Sequence, residues 1–190
     1  MELVFVTNNP NKLNEIQSLV SNDVAIKSLK DINFHDEIDE TELTLEGNAL
    51  LKARHIYSKF GLDCFADDTG LEIKALNGAP GVFSARYAGA ECIAQNNVNK
   101  VLHELKDNKN REARFITIIA LIINGEEFIF KGECVGEITI NQTGSKGFGY
   151  DPIFLPNSSK LTFAEMDNDA KGKISHRGKA VDKLIQFISK

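Results

Sequence analysis

Asp67 and Asp68 stand side by side in Phe65-Ala66-Asp67-Asp68-Thr69-Gly70-Leu71, where two apolar residues run into two carboxylates and a Thr-Gly pair. Adjacent carboxylates can hold a hard cation or take a proton from water. The residues that follow, Leu71 to Leu76, alternate as a half-buried strand does, which places the carboxylates at a strand end. Neighbouring side chains on a strand point to opposite faces, so Asp67 and Asp68 are not expected to share one task. Asp, Thr and Gly are also ordinary turn residues. On these residues alone, a catalytic strand end and an acidic turn stand level.

Other residues that could do chemistry lie at the junctions of elements. Thr7-Asn8-Asn9-Pro10-Asn11-Lys12 joins an apolar run, Leu3 to Val6, to a helical spacing of Leu13, Ile16, Leu19 and Val20, with Asn9 placed to cap and Pro10 suited to the first turn. A strand, a polar loop and a helix start create a cluster of backbone N–H groups. Thr7, Asn8 and Lys12 can add donors, which outlines an anion site beside the plain reading of a helix cap. Asn48 and Lys52 are four apart and share one helical face. Before that helix runs an acidic stretch from Asp31 to Glu42; most of it reads as a solvated loop, though any member can reach a metal. Arg86 follows a Gly- and Pro-defined loop in a short extended piece, where a salt bridge to the acidic cluster competes with a phosphate. The loop Thr143 to Phe154 brings glycines, Phe148, Tyr150 and Asp151 together. It lacks the Gly-Lys-Ser/Thr ending of a P-loop and leads into a strand, so it is not a Walker A motif. Phe148 offers a face to a flat ring, or else plugs the core with Tyr150. Lys171, Lys173, His176, Arg177 and Lys179 make the densest basic cluster.

The elements that must position these groups are those of a mixed α/β protein. A chain of 190 residues suits one well-buried domain, residues 1–190. Hydrophobic content of 42% and charged content of 26% are those of a folded globular chain. A net charge of −5 argues against a broad basic surface for polymeric nucleic acid or an anionic membrane. No run is long and apolar enough to span a bilayer. Cys64, Cys92 and Cys134 match neither a disulfide framework nor close zinc ligands and read as reduced thiols of a cytoplasmic protein. Strands are expected at Leu3 to Val6, Val24 to Leu29, Ala113 to Ile123, Glu127 to Val135 and Gly136 to Ile140, and helices at Thr44 to Phe60, Glu91 to Lys106 and the C-terminus. Asn124-Gly125 makes a hairpin, so the sheet is mixed rather than all parallel.

Taken together, Thr7-Asn8-Asn9 with Lys12, Asn48 to Arg54, Ala66 to Leu71, Gly78 to Tyr87, Gly147 to Pro152 and Ser175 to Gly178 closely resemble the inosine triphosphate pyrophosphatases, the non-canonical purine nucleoside triphosphate pyrophosphatases. Many relatives carry Ser where this chain has Thr69, which keeps the hydroxyl. The resemblance implies an elongated mixed sheet flanked by helices, with two lobes and an active-site cleft between them. It implies hydrolysis of ITP, dITP or XTP to the monophosphate and pyrophosphate, with Mg²⁺ as cofactor, and it implies a homodimer. On that reading Lys12, Lys52, Lys171 and Arg177, with the Thr7 to Lys12 loop, meet phosphate oxygens, and Glu40 and Asp68 hold the metal. Asp68 is the base and Asp67 assists. Asn48, Thr69 and Arg86 line the substrate. Donors among Phe148, Gly149, Tyr150 and Asp151, with His176 and Arg177, face the 6-oxo group of the purine.

Two rivals come from other classes. Asp68-Thr69-Gly70 is also the aspartic protease tripeptide, but those enzymes need a second such Asp on an all-β fold, and the chain has neither. A nucleotide- or RNA-binding module without hydrolysis would use the basic cluster and the aromatic loop, and would leave the paired carboxylates unexplained.

Overall fold

The computed structural model describes residues 1–20 and 24–189. Its strands are β1 (Glu2–Phe5), β2 (Ala25–Lys27), β3 (Cys64–Ile73), β4 (Pro80–Gly81), β5 (Glu112–Ile123), β6 (Glu126–Ile138) and β7 (Phe154–Pro156). Its helices are α1 (Pro10–Leu19), α2 (Leu45–Phe60), α3 (Ala94–Glu104), α4 (Asn168–Ile174) and α5 (His176–Ile188). The strands form one sheet in the order β2-β1-β3-β5-β6-β7, with β4 paired to β3. The sheet is mixed, because β1 runs parallel to β2 and β3 while β6 and β7 pair antiparallel. No described helix is long and apolar enough to cross a membrane.

The chain divides into two compact units. The first comprises Met1–Asp68, Thr117–Gly132 and Arg177–Lys190. Its core gathers Leu3 and Phe5 of β1, Ile16 of α1, Phe65 of β3, Ile119 and Leu121 of β5, and Val181 and Leu184 of α5. Phe5 and Phe65 are register partners on adjacent strands and stack with ring centroids 4.7 Å apart. The second unit comprises Thr69–Ile116 and Glu133–His176. Leu71 and Ile73, Val98 and Val101, Phe115, Ile153, Phe154 and Phe163 are buried together in it. Gly136 lets β6 and β7 close up there, since a Cβ would collide with the Leu155 carbonyl.

Local chemistry accounts for the element ends. Asn9 caps α1 by accepting from the Asn11 and Lys12 N–H groups, with Pro10 in the first turn. The Thr44 side chain caps α2 by accepting from Gly47, and Gly61 closes that helix at φ 64°. Asn124 and Gly125, at φ 51° and 83°, turn β5 into β6.

Several expectations are corrected. β3 runs through Asp67 and Asp68 to Ile73 instead of starting after them, so the carboxylates lie mid-strand; Lys74–Leu76 is a 3₁₀ turn. Glu126–Ile138 is one continuous strand rather than two. Ser84–Arg86 forms a 3₁₀ turn rather than an extended piece. The third helix is shorter than Glu91 to Lys106, and Ile93, expected inward, is half exposed as its N-cap.

Candidate active site

Asp67 lies fully inside the first unit, and both its oxygens are engaged. Lys12 Nζ of α1 binds Oδ1 at 2.9 Å, and Arg177 Nε of α5 binds Oδ2 at 3.2 Å. Arg177 Nη1 also donates to the Glu15 carboxylate. Burial by itself would raise the Asp67 carboxyl, but the charges of Lys12, Arg177 and Lys52 outweigh it and hold the group well below the usual carboxylate range. The main-chain oxygen of Asp67 is used as well, accepting from Lys52 Nζ at 2.8 Å.

Asp68, pointing the other way from the pleat, has a different environment. Its Oδ2 accepts from Asn48 Nδ2 at 3.2 Å. Asn48 is fully buried on α2, and its Oδ1 accepts from the Glu42 N–H at 2.9 Å, so one amide ties the acidic loop to the strand. Lys52, one turn along α2, reaches Glu40 Oε1 at 2.5 Å. Burial pushes the Asp68 carboxyl up to about 6, with Lys52 and Lys12 opposing the rise and Glu40 and Asp67 adding to it. Burial, more than the surrounding charges, is what disfavours the Asp68 anion. Among the described residues no three His, Cys, Asp or Glu side chains converge as a metal site. The carboxylates of Asp68 and Glu40, both bordering Lys52, are oxygen donors of the kind that suits a hard cation also ligated by a phosphate substrate.

The Thr7 to Lys12 loop presents fewer donors than the sequence suggests. The Asn9 N–H donates to Thr7 Oγ1 at 3.1 Å, and Asn9 itself takes the Asn11 and Lys12 N–H groups. Its Asn8 side chain reaches the Asp36 carbonyl at 3.4 Å. The cap uses its own backbone donors, and Lys12 carries the loop's charge inward.

The second unit holds the aromatic loop. Asp151 Oδ2 accepts from Lys171 Nζ at 2.6 Å and from the Phe148 N–H at 2.8 Å. Lys171 Nζ also lies 5.1 Å from the Phe148 ring centre. Gly147 is required at φ 71°, where a Cβ would run into the Asp151 carboxylate. The Asp151 N–H donates to the Phe148 carbonyl, so two main-chain donors expected to face a ligand are spent inside the loop. Tyr150 is buried and its hydroxyl donates to the Ser84 carbonyl at 2.8 Å, while Gly149 sits at φ 62° with open space beside its Cα. His176 stacks on Phe115, ring centroids 4.4 Å apart. Thr69 is half-buried on β3, and the Arg86 guanidinium lies 5.3 Å from the Phe83 ring centre. The basic cluster is not one surface: Lys171 and Arg177 are buried in ion pairs, whereas Lys173 and Lys179 are exposed.

This pairing of β3 carboxylates with lysines from α1 and α2 extends over a chain whose residues 3–187 match the model of the Ham1 family. The chain belongs to the Ham1 family. A protein of Flavobacterium johnsoniae named dITP/XTP pyrophosphatase is 53% identical, with all of this chain and 98% of that protein covered. A protein of Christiangramia forsetii with the same name is also 53% identical, with both chains covered in full. The Ham1 protein of Coxiella burnetii superposes with a TM-score of 0.90 at 40% identity, covering all of this chain and 98% of that one. The Staphylococcus aureus Ham1 protein gives 0.89 at 36% identity, with the same coverage.

In this Ham1 chain one group at the site escapes the sequence reading: Glu15. Its signal was the three-residue step from Lys12, which puts both charges on one face of α1.

Proposed function

We propose that this chain is a magnesium-dependent nucleoside triphosphate pyrophosphatase that cleaves ITP, dITP and XTP between the α- and β-phosphates. Its products are the nucleoside monophosphate and pyrophosphate, and its task is to clear deaminated purines from the nucleotide pool. The names of the Flavobacterium johnsoniae and Christiangramia forsetii relatives support this substrate class. The observation that carries the reading is the different surroundings of two adjacent carboxylates: Asp67 is ion-paired with Lys12 and Arg177, while Asp68 accepts from Asn48 and burial raises its carboxyl to about 6.

In this reading Asp68 takes the proton of the attacking water, whose oxygen bonds to phosphorus as the bridging P–O bond breaks. Asp67 holds Lys12 and Arg177 in place. Lys12 and Lys52 neutralise phosphate oxygens, and Lys52 keeps Glu40 turned toward the site. Glu40 and Asp68 are the carboxylates that would hold Mg²⁺, which when bound supplies charge neutralisation at the triphosphate. The main-chain N–H groups of Gly149 and Tyr150, with His176 and Arg177, are assigned to the purine O6. Adenine, with an amino group there, would leave donors facing donors. A cytoplasmic homodimer belongs to the same proposal.

The test is to incubate the purified protein with Mg²⁺ and each of ITP, dITP, XTP, GTP and ATP and to identify the products. Monophosphate plus pyrophosphate is expected, with the first three preferred, and Asp68→Asn is expected to bind nucleotide without turning it over. Release of orthophosphate, or equal rates on ATP, would sink the reading.

A further inference from the structure

We infer that Glu15 is a positioning residue for the reaction and that it acts through Arg177. The inference rests on the hydrolytic reading of the Asp67 and Asp68 site given above. Arg177 is the largest of the fully buried side chains, 2% exposed. A guanidinium taken out of water must have its charge answered and its planar fork of N–H groups satisfied. Asp67 does part of this through Nε, and Glu15 takes Nη1.

Two anchors on different nitrogens fix a plane, whereas one anchor leaves the guanidinium free to turn about it. The geometry closes on itself. Lys12 and Glu15 lie three apart on α1; Lys12 holds one oxygen of Asp67, Arg177 holds the other, and Glu15 holds Arg177. Three elements, α1, β3 and α5, are thereby tied in a ring of two positive and two negative side chains. Being neutral, the ring stays assembled with no help from a bound anion. Removing Glu15 would take the carboxylate from Nη1 and loosen the plane in which the guanidinium meets Asp67. Asp68 is the next residue on the same strand, so a turn of the Asp67 carboxylate is passed directly to the assigned base. A misplacement of this kind is felt in the chemical step more than in binding.

A purely stabilising ion pair makes a different prediction, and the experiment separates the two. kcat and KM for ITP hydrolysis are measured for wild type, Glu15→Ala, Glu15→Gln, Arg177→Lys and the Glu15→Ala/Arg177→Lys pair, with thermal unfolding recorded for each. Glu15→Ala is expected to lower kcat on the order of 10- to 100-fold, with a smaller rise in KM through the contact assigned to Arg177 at the purine base. Glu15→Gln, which keeps an acceptor for Nη1, is expected to recover most of the loss. The double variant should be no worse than Arg177→Lys, because the two residues act as one unit. Should Glu15→Ala not fold, Glu15→Asp, whose shorter arm withdraws the acceptor, takes its place. Wild-type kcat in folded Glu15→Ala or Glu15→Asp, no rescue by Gln, or losses that multiply in the double variant would overturn the inference. Failure of the wild type to hydrolyse ITP would instead overturn the underlying functional reading.

Discussion

Asp67 and Asp68 have the same side chain and adjacent places on one strand, yet pleating gives them different neighbours and hence different chemistry. Asp67 faces Lys12 and Arg177 and remains an anion in the protein interior; Asp68 faces Asn48 and the Glu40 side of the site. For Asp67 this has a consequence in acid. Its folded-state pKa lies below the unfolded value, so its contribution to stability is complete above about pH 4 and is lost as the pH falls through the folded pKa. Asp67→Asn strands two buried cations and is expected to cost about 3 kcal/mol at pH 7 in metal-free buffer. Urea titrations of both proteins at pH 7, 4 and 3 should show the difference narrowing below pH 4 as wild type loses its advantage. A difference that stays constant down to pH 3 would mean that the Asp67 anion is not what stabilises this pocket.

At the scale of elements, α2 brings Asn48 and Lys52 to the strand, and its start is set by a single cap. Thr44→Ala removes the acceptor of the Gly47 N–H and is expected to lower stability by about 1 kcal/mol in urea unfolding; no loss would show that the acidic loop before it holds the helix end instead. This cap, the Asn9-Pro10 start of α1, the Gly61 stop and the Asn124-Gly125 hairpin were all legible in sequence, because each depends on residues within a few positions of one another. The course of β3 was not. Thr69-Gly70 reads locally as a turn, and nothing within the segment reveals that Lys12, Lys52 and Arg177 converge to let two carboxylates stay inside a strand. The candidate site followed the same rule: its residue types could be read, while the burial of Lys171 and Arg177 depends on partners 20 and 110 residues away. The Ser84 turn escaped for a like reason, since Ser84 is held by Gly81, Leu71 and Tyr150 together.

Over the whole molecule, charge decides between a nucleotide enzyme and a binder of polymeric nucleic acid. The chain carries 22 Lys and Arg against 27 Asp and Glu, so any basic surface must be assembled locally. The C-terminal cluster was the place to look for one, and its strongest members are withdrawn: Lys171 is paired with Asp151, and Arg177 with Asp67 and Glu15. Arg54 and Arg114, though exposed, are paired with Glu127 and with Glu72 and Glu133. Affinity for a polyanion comes from releasing counterions at many phosphates, which requires many unanswered cations along one surface. A mononucleotide asks only for a few, and buried ones serve it better because water does not screen them. A fluorescently labelled 20-nucleotide RNA is therefore expected to show no saturable anisotropy change with protein up to about 100 μM in 150 mM salt, weaker than ordinary non-specific binding. Saturation at low micromolar protein, falling steeply as salt is raised, would favour an RNA-binding role.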